Sequence, residues 1–446
     1  MRLIEEILRH SLTILKISCL LANRAATVVF FAAWLACTGV RTSVGAEITI
    51  ACGGLGVEFT LCRQGAQAWA AKAGHSIKTV SLPNSSTERL ALYLQFLASR
   101  ADDIDVFQVD VIWPGLLSEH FLDLKPYLRP QELEAHFPAL INNDTINGRL
   151  VAMPWFTDAG VLYYRRDLLK RYGATVPETW AELEQTAARI QKQERLRGID
   201  DMWGWVWQGA PYEGLTCNAL EWLLSYGSAG IVDQLGTITV NTPEAREALS
   251  MAAGWVGSIS PTGVLNYDEE KARGVFQSGR AVFMRNWPYA WALAQNPDSP
   301  IRGKVGIAPL PKGGDAGQHT AVLGGWHLAI SRYSAHPEVA VSLVRYLTSE
   351  LEQKRRAIEG AYNPTIMSLY DDQDVIAKNA FMASLYNVFA MAESRPADRV
   401  GQKYNRVSYS FWTATHQVLS GAVSEDQSLD RLTAKLKRYR GGSEWH

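Results

Sequence analysis

The chain predicts an α/β fold, on two observations made between residues 47 and 111: strand and helix candidates alternate there, and the helix candidates carry apolar residues at helical spacing. Glu47 to Ala51 reads as a strand. A glycine-rich turn, Gly53-Gly54-Leu55-Gly56, leads into a helix from about Val57 to Ala73 with Phe59, Cys62, Ala66 and Trp69 along one side. Ser76 to Leu82 reads as a second strand, Thr87 to Ser99 as a helix, and Asp105 to Val111 as a third strand. Such alternation implies parallel strands covered by helices, with binding sites at the carboxyl ends of the strands. The segments leaving those ends carry Glu58, Arg89 and Asp110.

Further along, Thr179 in Val176-Pro177-Glu178-Thr179-Trp180 suits the N-cap of a helix, and Thr242-Pro243 opens another in the same manner. Met202 to Trp207 alternates Trp203, Trp205 and Trp207 on one strand face. Ser424 with Gln427 forms a capping box for a last helix ending near Arg440. The densest aromatic cluster is Arg285-Asn286-Trp287-Pro288-Tyr289-Ala290-Trp291, where an extended segment gives way to a helix. Pro288 fits the first helical turn. Trp287 and Trp291, four apart, then share a face and Tyr289 points elsewhere, so one compact core cluster does not account for all three rings. Taken alone the cluster is either core or an aromatic binding surface; together with the residues and the resemblance given below, Trp287 and Tyr289 read as a ligand platform and Trp291 as the core residue that anchors them. There is no internal repeat or long linker, so two lobes must be joined by short segments.

At 446 residues, 47% hydrophobic and 20% charged, the chain is long enough for two domains with cores of their own. Residues 1–46 read as a secretory signal: basic residues at Arg2, Arg9, Lys16 and Arg24, an apolar run from Ala25 to Cys37, and small residues Val44-Gly45-Ala46 suited to cleavage. The run is shorter than the roughly 20 residues a spanning helix needs. A weaker alternative is a lipoprotein box at Leu35-Ala36-Cys37, with Cys37 lipidated. The leader holds five Lys/Arg and two Asp/Glu, so removing it takes the net charge from -1 to -4. No basic block is present, which argues against nucleic acid as a partner. Three cysteines remain beyond the leader, and Cys52 and Cys62 could bridge a strand end to the next helix. Buried free thiols are the favoured reading.

The histidines and cysteines show no metal-ligand spacing, and Cys52-Gly53-Gly54-Leu55-Gly56 has neither a dinucleotide fingerprint nor a P-loop lysine. No metal and no cofactor are expected. What remains is a set of aromatic and ionic residues at turns and element ends: Trp287, Tyr289 and Trp326, beside Gly324-Gly325, with Glu58, Arg89, Asp110, Asp158 and Arg395. That mixture suits a sugar, whose apolar C–H face lies on an aromatic ring while its hydroxyls take charge-assisted hydrogen bonds.

Asp110, Asp158, Trp287, Tyr289, Gly324, Gly325 and Trp326 fall within blocks that resemble the periplasmic solute-binding proteins of ABC transporters, in the trehalose/maltose-binding branch, while Glu58, Arg89 and Arg395 lie outside those blocks. The blocks are Asp105-Val106-Phe107 with Asp110-Val111, Asp158 to Leu169, Trp203 to Gly209 followed by Tyr212-Glu213-Gly214-Leu215, Arg285 to Trp291, Gly303 to Pro311, and Leu323-Gly324-Gly325-Trp326-His327. The resemblance spans the mature chain. It implies two α/β lobes with hinge crossings that close like a clamshell, lobe one from residues 47–157 and 330–390 and lobe two from 158–329 and 391–446. It also implies sugar contacts by Glu58, Arg89, Asp110, Asp158, Trp287, Tyr289, Gly325, Trp326 and Arg395. The implied role is capture of an α-linked disaccharide by a monomer and its delivery to a permease with an associated ATPase, outside the cytoplasm. Phe156 departs from the branch, where a tyrosine can add a hydroxyl contact; Cys52 and Cys62 depart in the stretch carrying Glu58. The alternatives are another glucoside, such as glucosylglycerol or sucrose, and a secreted glycoside hydrolase using carboxylates among Glu58, Asp110 and Asp158.

Overall fold

In the computed structural model, residues 45–314, 317–384, 386–442 and 445 are described. The expected leader, with its apolar run and Cys37, lies outside the described residues apart from Gly45 and Ala46. From Glu47 onward the chain forms one compact unit. Among the described residues no helix is long and apolar enough to cross a membrane.

Strands β1 (Glu47–Cys52), β2 (Ser76–Ser81), β3 (Val106–Asp110), β4 (Met153–Ala159), β5 (Val161–Arg165), β6 (Trp203–Val206), β7 (Ala281–Asn286), β8 (Val305–Ala308) and β9 (Leu323–Ile330) build two main sheets. The first has the order β2-β1-β3-β9-β4 and the second β8-β5-β7-β6. β3 and β4 are buried along their whole length, as strands covered on both faces must be. The alternating region is parallel as expected, with β2 and β3 both parallel to β1. The first sheet as a whole is mixed, because β9 runs antiparallel between β3 and β4.

Helices follow the local signals. α1 (Glu58–Ala73) buries Leu61, Cys62, Ala66 and Trp69 and ends at Gly74, whose φ of 72° suits glycine. α2 (Ser86–Ala98) starts where Ser85 Oγ accepts from the Glu88 amide. α3 (Trp180–Leu196) has the full capping box, with Thr179 and Glu182 each bonding the other's backbone amide. α4 (Glu213–Ser225), α5 (Pro243–Trp255), α6 (Glu269–Gln277) and α7 (Tyr404–Leu419) follow. Trp205 and Trp207 are fully buried: Trp205 packs on Trp180 and Trp255, and Trp207 stands edge-on to Trp222 at 5.0 Å. Trp203, expected on their face, is only half-buried beneath the Arg195 guanidinium.

The chain passes between the sheets at three places. Gly160 alone separates β4 from β5, and a Cβ there would lie 2.0 Å from Glu221 Oε1. Val322 precedes β9, and Glu393 lies beside it: the Leu323 amide donates to the Glu393 carbonyl and the Glu393 amide to the Ala321 carbonyl. Asp158, Ala159 and Leu323–Ala329, which the resemblance assigned to lobe two, therefore belong to the first sheet.

Two further expectations are corrected. Cys52 and Cys62 form a disulfide, and among the described residues Cys217 is the buried free thiol. The helix after β7 begins at Ala290, so Pro288 precedes the N-cap residue Tyr289 and Trp287 is not helical. Trp287 and Trp291 consequently do not share a helix face. Trp291 is half-buried against Phe381 instead of sitting in the core.

Candidate functional site

The strand order converges the candidate residues. Because β9 runs opposite to β3 and β4, its first residues meet the carboxyl ends of both, with Trp326 opposite Asp110 and Gly324 opposite Asp158. The backbone turns there at Gly325, whose φ is 126°; a Cβ would lie 2.6 Å from the Phe156 carbonyl oxygen, so glycine is required. From the second sheet, β7 pairs with β5 so that Asn286 faces Val161, two residues past Ala159. Trp287 then arrives over Gly324, whose missing side chain makes room: a Cβ would sit 3.0 Å from the indole and 3.3 Å from Asp158 Cβ.

On the first-lobe side Glu58 is fully buried at the start of α1. Its carboxylate accepts from the Leu55 amide at 3.3 Å and from Gln108 Nε2, and it faces Arg89 Nη2 at 3.8 Å. The Arg89 guanidinium stacks on Trp326 at 4.3 Å while its Nε donates to the Pro83 carbonyl. Trp326 meets Trp113 edge-on from another side. The indole is thus held between a cation and a second ring, a geometry that fixes its plane.

On the second-lobe side the Trp287 indole lies under the Arg285 guanidinium at 3.9 Å, and Nε1 donates to Glu269 Oε1 at 3.3 Å. Arg285 is itself clamped by both oxygens of Glu221, at 2.9 and 2.6 Å. Tyr212 donates to the other Glu269 oxygen, and Tyr289 donates to Glu270 at 2.7 Å. Burial raises the Glu269 carboxyl above its ordinary pKa.

Arg395 ties the two sides together. Nη2 donates to Asp110 Oδ1 at 2.7 Å and Nη1 to Glu213 Oε1 at 3.0 Å, and Glu213 also accepts from Tyr404 and Ser408. Burial opposes the arginine charge, but Asp110 and neighbouring groups outweigh it and push its pKa up. Asp158 differs: its carboxyl is raised well above the ordinary range by burial first and by the Glu58 charge second. Asp158 Oδ1 and Arg395 Nε, on residues that line the cleft, are buried without a hydrogen-bond partner in the protein. These are groups that a bound polar molecule could satisfy.

Eight of the nine expected residues line one cleft: Glu58, Asp110, Asp158, Trp287, Tyr289, Gly325, Trp326 and Arg395. Arg89 sits behind Trp326. Glu213, Glu269 and Tyr362 line the same cleft and were not foreseen. Glu213 and Glu269 each stand in the first turn of a helix, where an acidic residue is ordinary and solvated. The Tyr212-Glu213-Gly214-Leu215 block was the one available signal. Phe156, expected to lack a hydroxyl contact, packs at 4.8 Å on Tyr362, whose own hydroxyl donates to the Leu55 carbonyl.

A cleft between two α/β lobes, walled by aromatic rings and buried ionic groups, defines a ligand-capturing protein. The family described as bacterial extracellular solute-binding proteins matches residues 62–354. A Deinococcus radiodurans protein named as a probable ABC transporter-binding protein is 50% identical over 395 residues, 88% of this chain and 94% of that protein. Among solved structures, maltose-bound MalE3 of T. maritima superposes with a TM-score of 0.83 at 39% identity, covering 88% of this chain and 100% of that one. A Thermotoga lettingae solute-binding protein bound with α-D-tagatose shares the fold, with a TM-score of 0.79 at 22% identity over 88% of this chain and 99% of that one. This chain belongs to the bacterial extracellular solute-binding protein family of ABC transporters. It is a binding component and not an enzyme, which sets the glycoside hydrolase alternative aside.

Proposed function

We propose that this protein captures an α-linked disaccharide of the trehalose or maltose type in the periplasm and delivers it, as a monomer, to the permease and ATPase of an importer. The observation that carries this reading is one cleft in which the Trp287 and Trp326 rings stand beside Asp158, Glu58, Asp110, Glu269 and Arg395. Rings take the apolar faces of a pyranose, and buried carboxylates and guanidinium groups take its hydroxyls. The similarity to the maltose-bound T. maritima protein supports the choice of sugar.

Eight of the nine residues anticipated from the sequence act as the sugar contacts, and Arg89 orients Trp326 from behind. The lobes hinge at Gly160, Val322 and Glu393, and closure buries the sugar so that the permease meets a distinct loaded form. Phe156 favours one second reading: without a hydroxyl at that position, another glucoside such as glucosylglycerol or sucrose replaces a disaccharide of the trehalose or maltose type. A thermal-shift panel of maltose, trehalose, sucrose and glucosylglycerol tests both. A ligand at 100 times its Kd stabilises by about 2.7 kcal/mol, a readily measured shift. No shift with any glucoside refutes the proposal.

A further inference from the structure

We propose that the groove adjoining this cleft receives an aromatic aglycone attached to the bound sugar, an inference that rests on the carbohydrate reading above. The groove, of about 450 Å³, is walled by Leu90 and Leu94 from α2, Trp113, Tyr409 and Trp412 from α7, and Tyr439. Leu94 is 41% and Tyr409 54% exposed, so this apolar wall faces water. Tyr409 stands edge-on to Trp412 at 5.4 Å, which offers an incoming ring both a face and an edge.

The occupant is indicated by continuity with the sugar cleft. Ser86 and Glu213 line both hollows. Trp113, in the groove wall, is also the ring that meets Trp326 of the cleft edge-on at 5.5 Å. Between the hollows Thr87 Oγ1 accepts from the Glu213 amide at 3.3 Å, joining helices that belong to different lobes. A substituent leaving the sugar at this end parts the Thr87–Glu213 contact, beside the small Ser86 side chain, and then emerges onto the apolar wall. Glu213 is already held by Arg395, Tyr404 and Ser408, so it does not repel an uncharged substituent.

The test is calorimetric titration of maltose and of 4-nitrophenyl α-maltoside into the wild-type protein, Leu94→Gln and Tyr409→Ala. Both substituted side chains are exposed, and a thermal melt verifies that each variant is folded. The aryl glycoside is expected to bind about three- to tenfold more tightly than maltose, as an aromatic contact supplies. Both variants are expected to lose that preference while maltose affinity stays unchanged. Equal affinities in the wild type, or variants that keep the preference, overturn the groove assignment while leaving the sugar reading intact. Binding of neither maltose nor its aryl glycoside overturns the groove assignment, and the sugar reading falls with it if trehalose, sucrose and glucosylglycerol also fail to bind.

Discussion

Arg395 Nη2 and Asp110 Oδ1 lie 2.7 Å apart, joining the end of β3 in the first lobe to the segment that returns the chain to the second. The same guanidinium holds Glu213 at 3.0 Å, so one buried cation serves two buried carboxylates. Arg395→Ala leaves both acids without their countercharge, and breaking a buried pair in this way costs about 3–5 kcal/mol. Urea denaturation measures it; a loss below about 1 kcal/mol means the carboxylates find other partners.

Asp158 makes stability depend on pH. Its folded-state pKa is raised by burial and the Glu58 charge. A raised carboxyl contributes stability that is present in full below the unfolded pKa and is lost as pH rises through the folded value. Asp158→Asn lacks this loss, so the ligand-free variant gains on the wild type as pH climbs from about 4. Denaturation curves at several pH values detect the divergence. A pH-independent difference between the two proteins contradicts the shift.

Gly325→Ala places a Cβ 2.6 Å from a carbonyl oxygen at a φ of 126°. Neither the backbone of β4 nor the alanine can yield cheaply, and a cost of about 1–3 kcal/mol follows. Thermal unfolding reads it out, and a variant as stable as the wild type shows that the strand junction is softer than its geometry.

The Cys52–Cys62 disulfide closes the loop that carries Leu55 and Glu58. Replacing both cysteines with serine is expected to cost about 2–4 kcal/mol of stability and to weaken sugar binding as the Glu58 loop loosens. Comparing affinities of the oxidised and double-serine proteins checks this. Equal affinity separates the bridge from the binding site.

The alternating first lobe was legible because parallel strands and amphipathic helices leave periodic marks, and β1, β2 and β3 lie where those marks stand. The strand β9 was not, since antiparallel insertion is decided by partners far along the chain; Gly324-Gly325-Trp326 announced room beside a ring but not the pairing with Asp110 and Asp158. The Trp287 to Trp291 cluster was misread where it relied on helical spacing and where it put Trp291 in the core. The helix starts at Ala290, so the chain separates the rings before helical spacing can, and Trp291 meets Phe381 instead of entering the core. Glu213 and Glu269 stayed hidden because acidic first-turn residues are commonplace, and only tertiary burial distinguishes them. The disulfide depended on Cα atoms 6.2 Å apart, a distance set by packing of α1 on the sheet.

Whether the Trp287 ring walls a sugar site is decided by titrating maltose and trehalose into the wild-type protein and Trp287→Ala in a calorimeter. Saturable one-to-one binding of at least one of these sugars is expected, weakened in the variant by about 1–3 kcal/mol with its melting behaviour retained. No heat from either sugar, or an affinity unchanged in the folded variant, would contradict it.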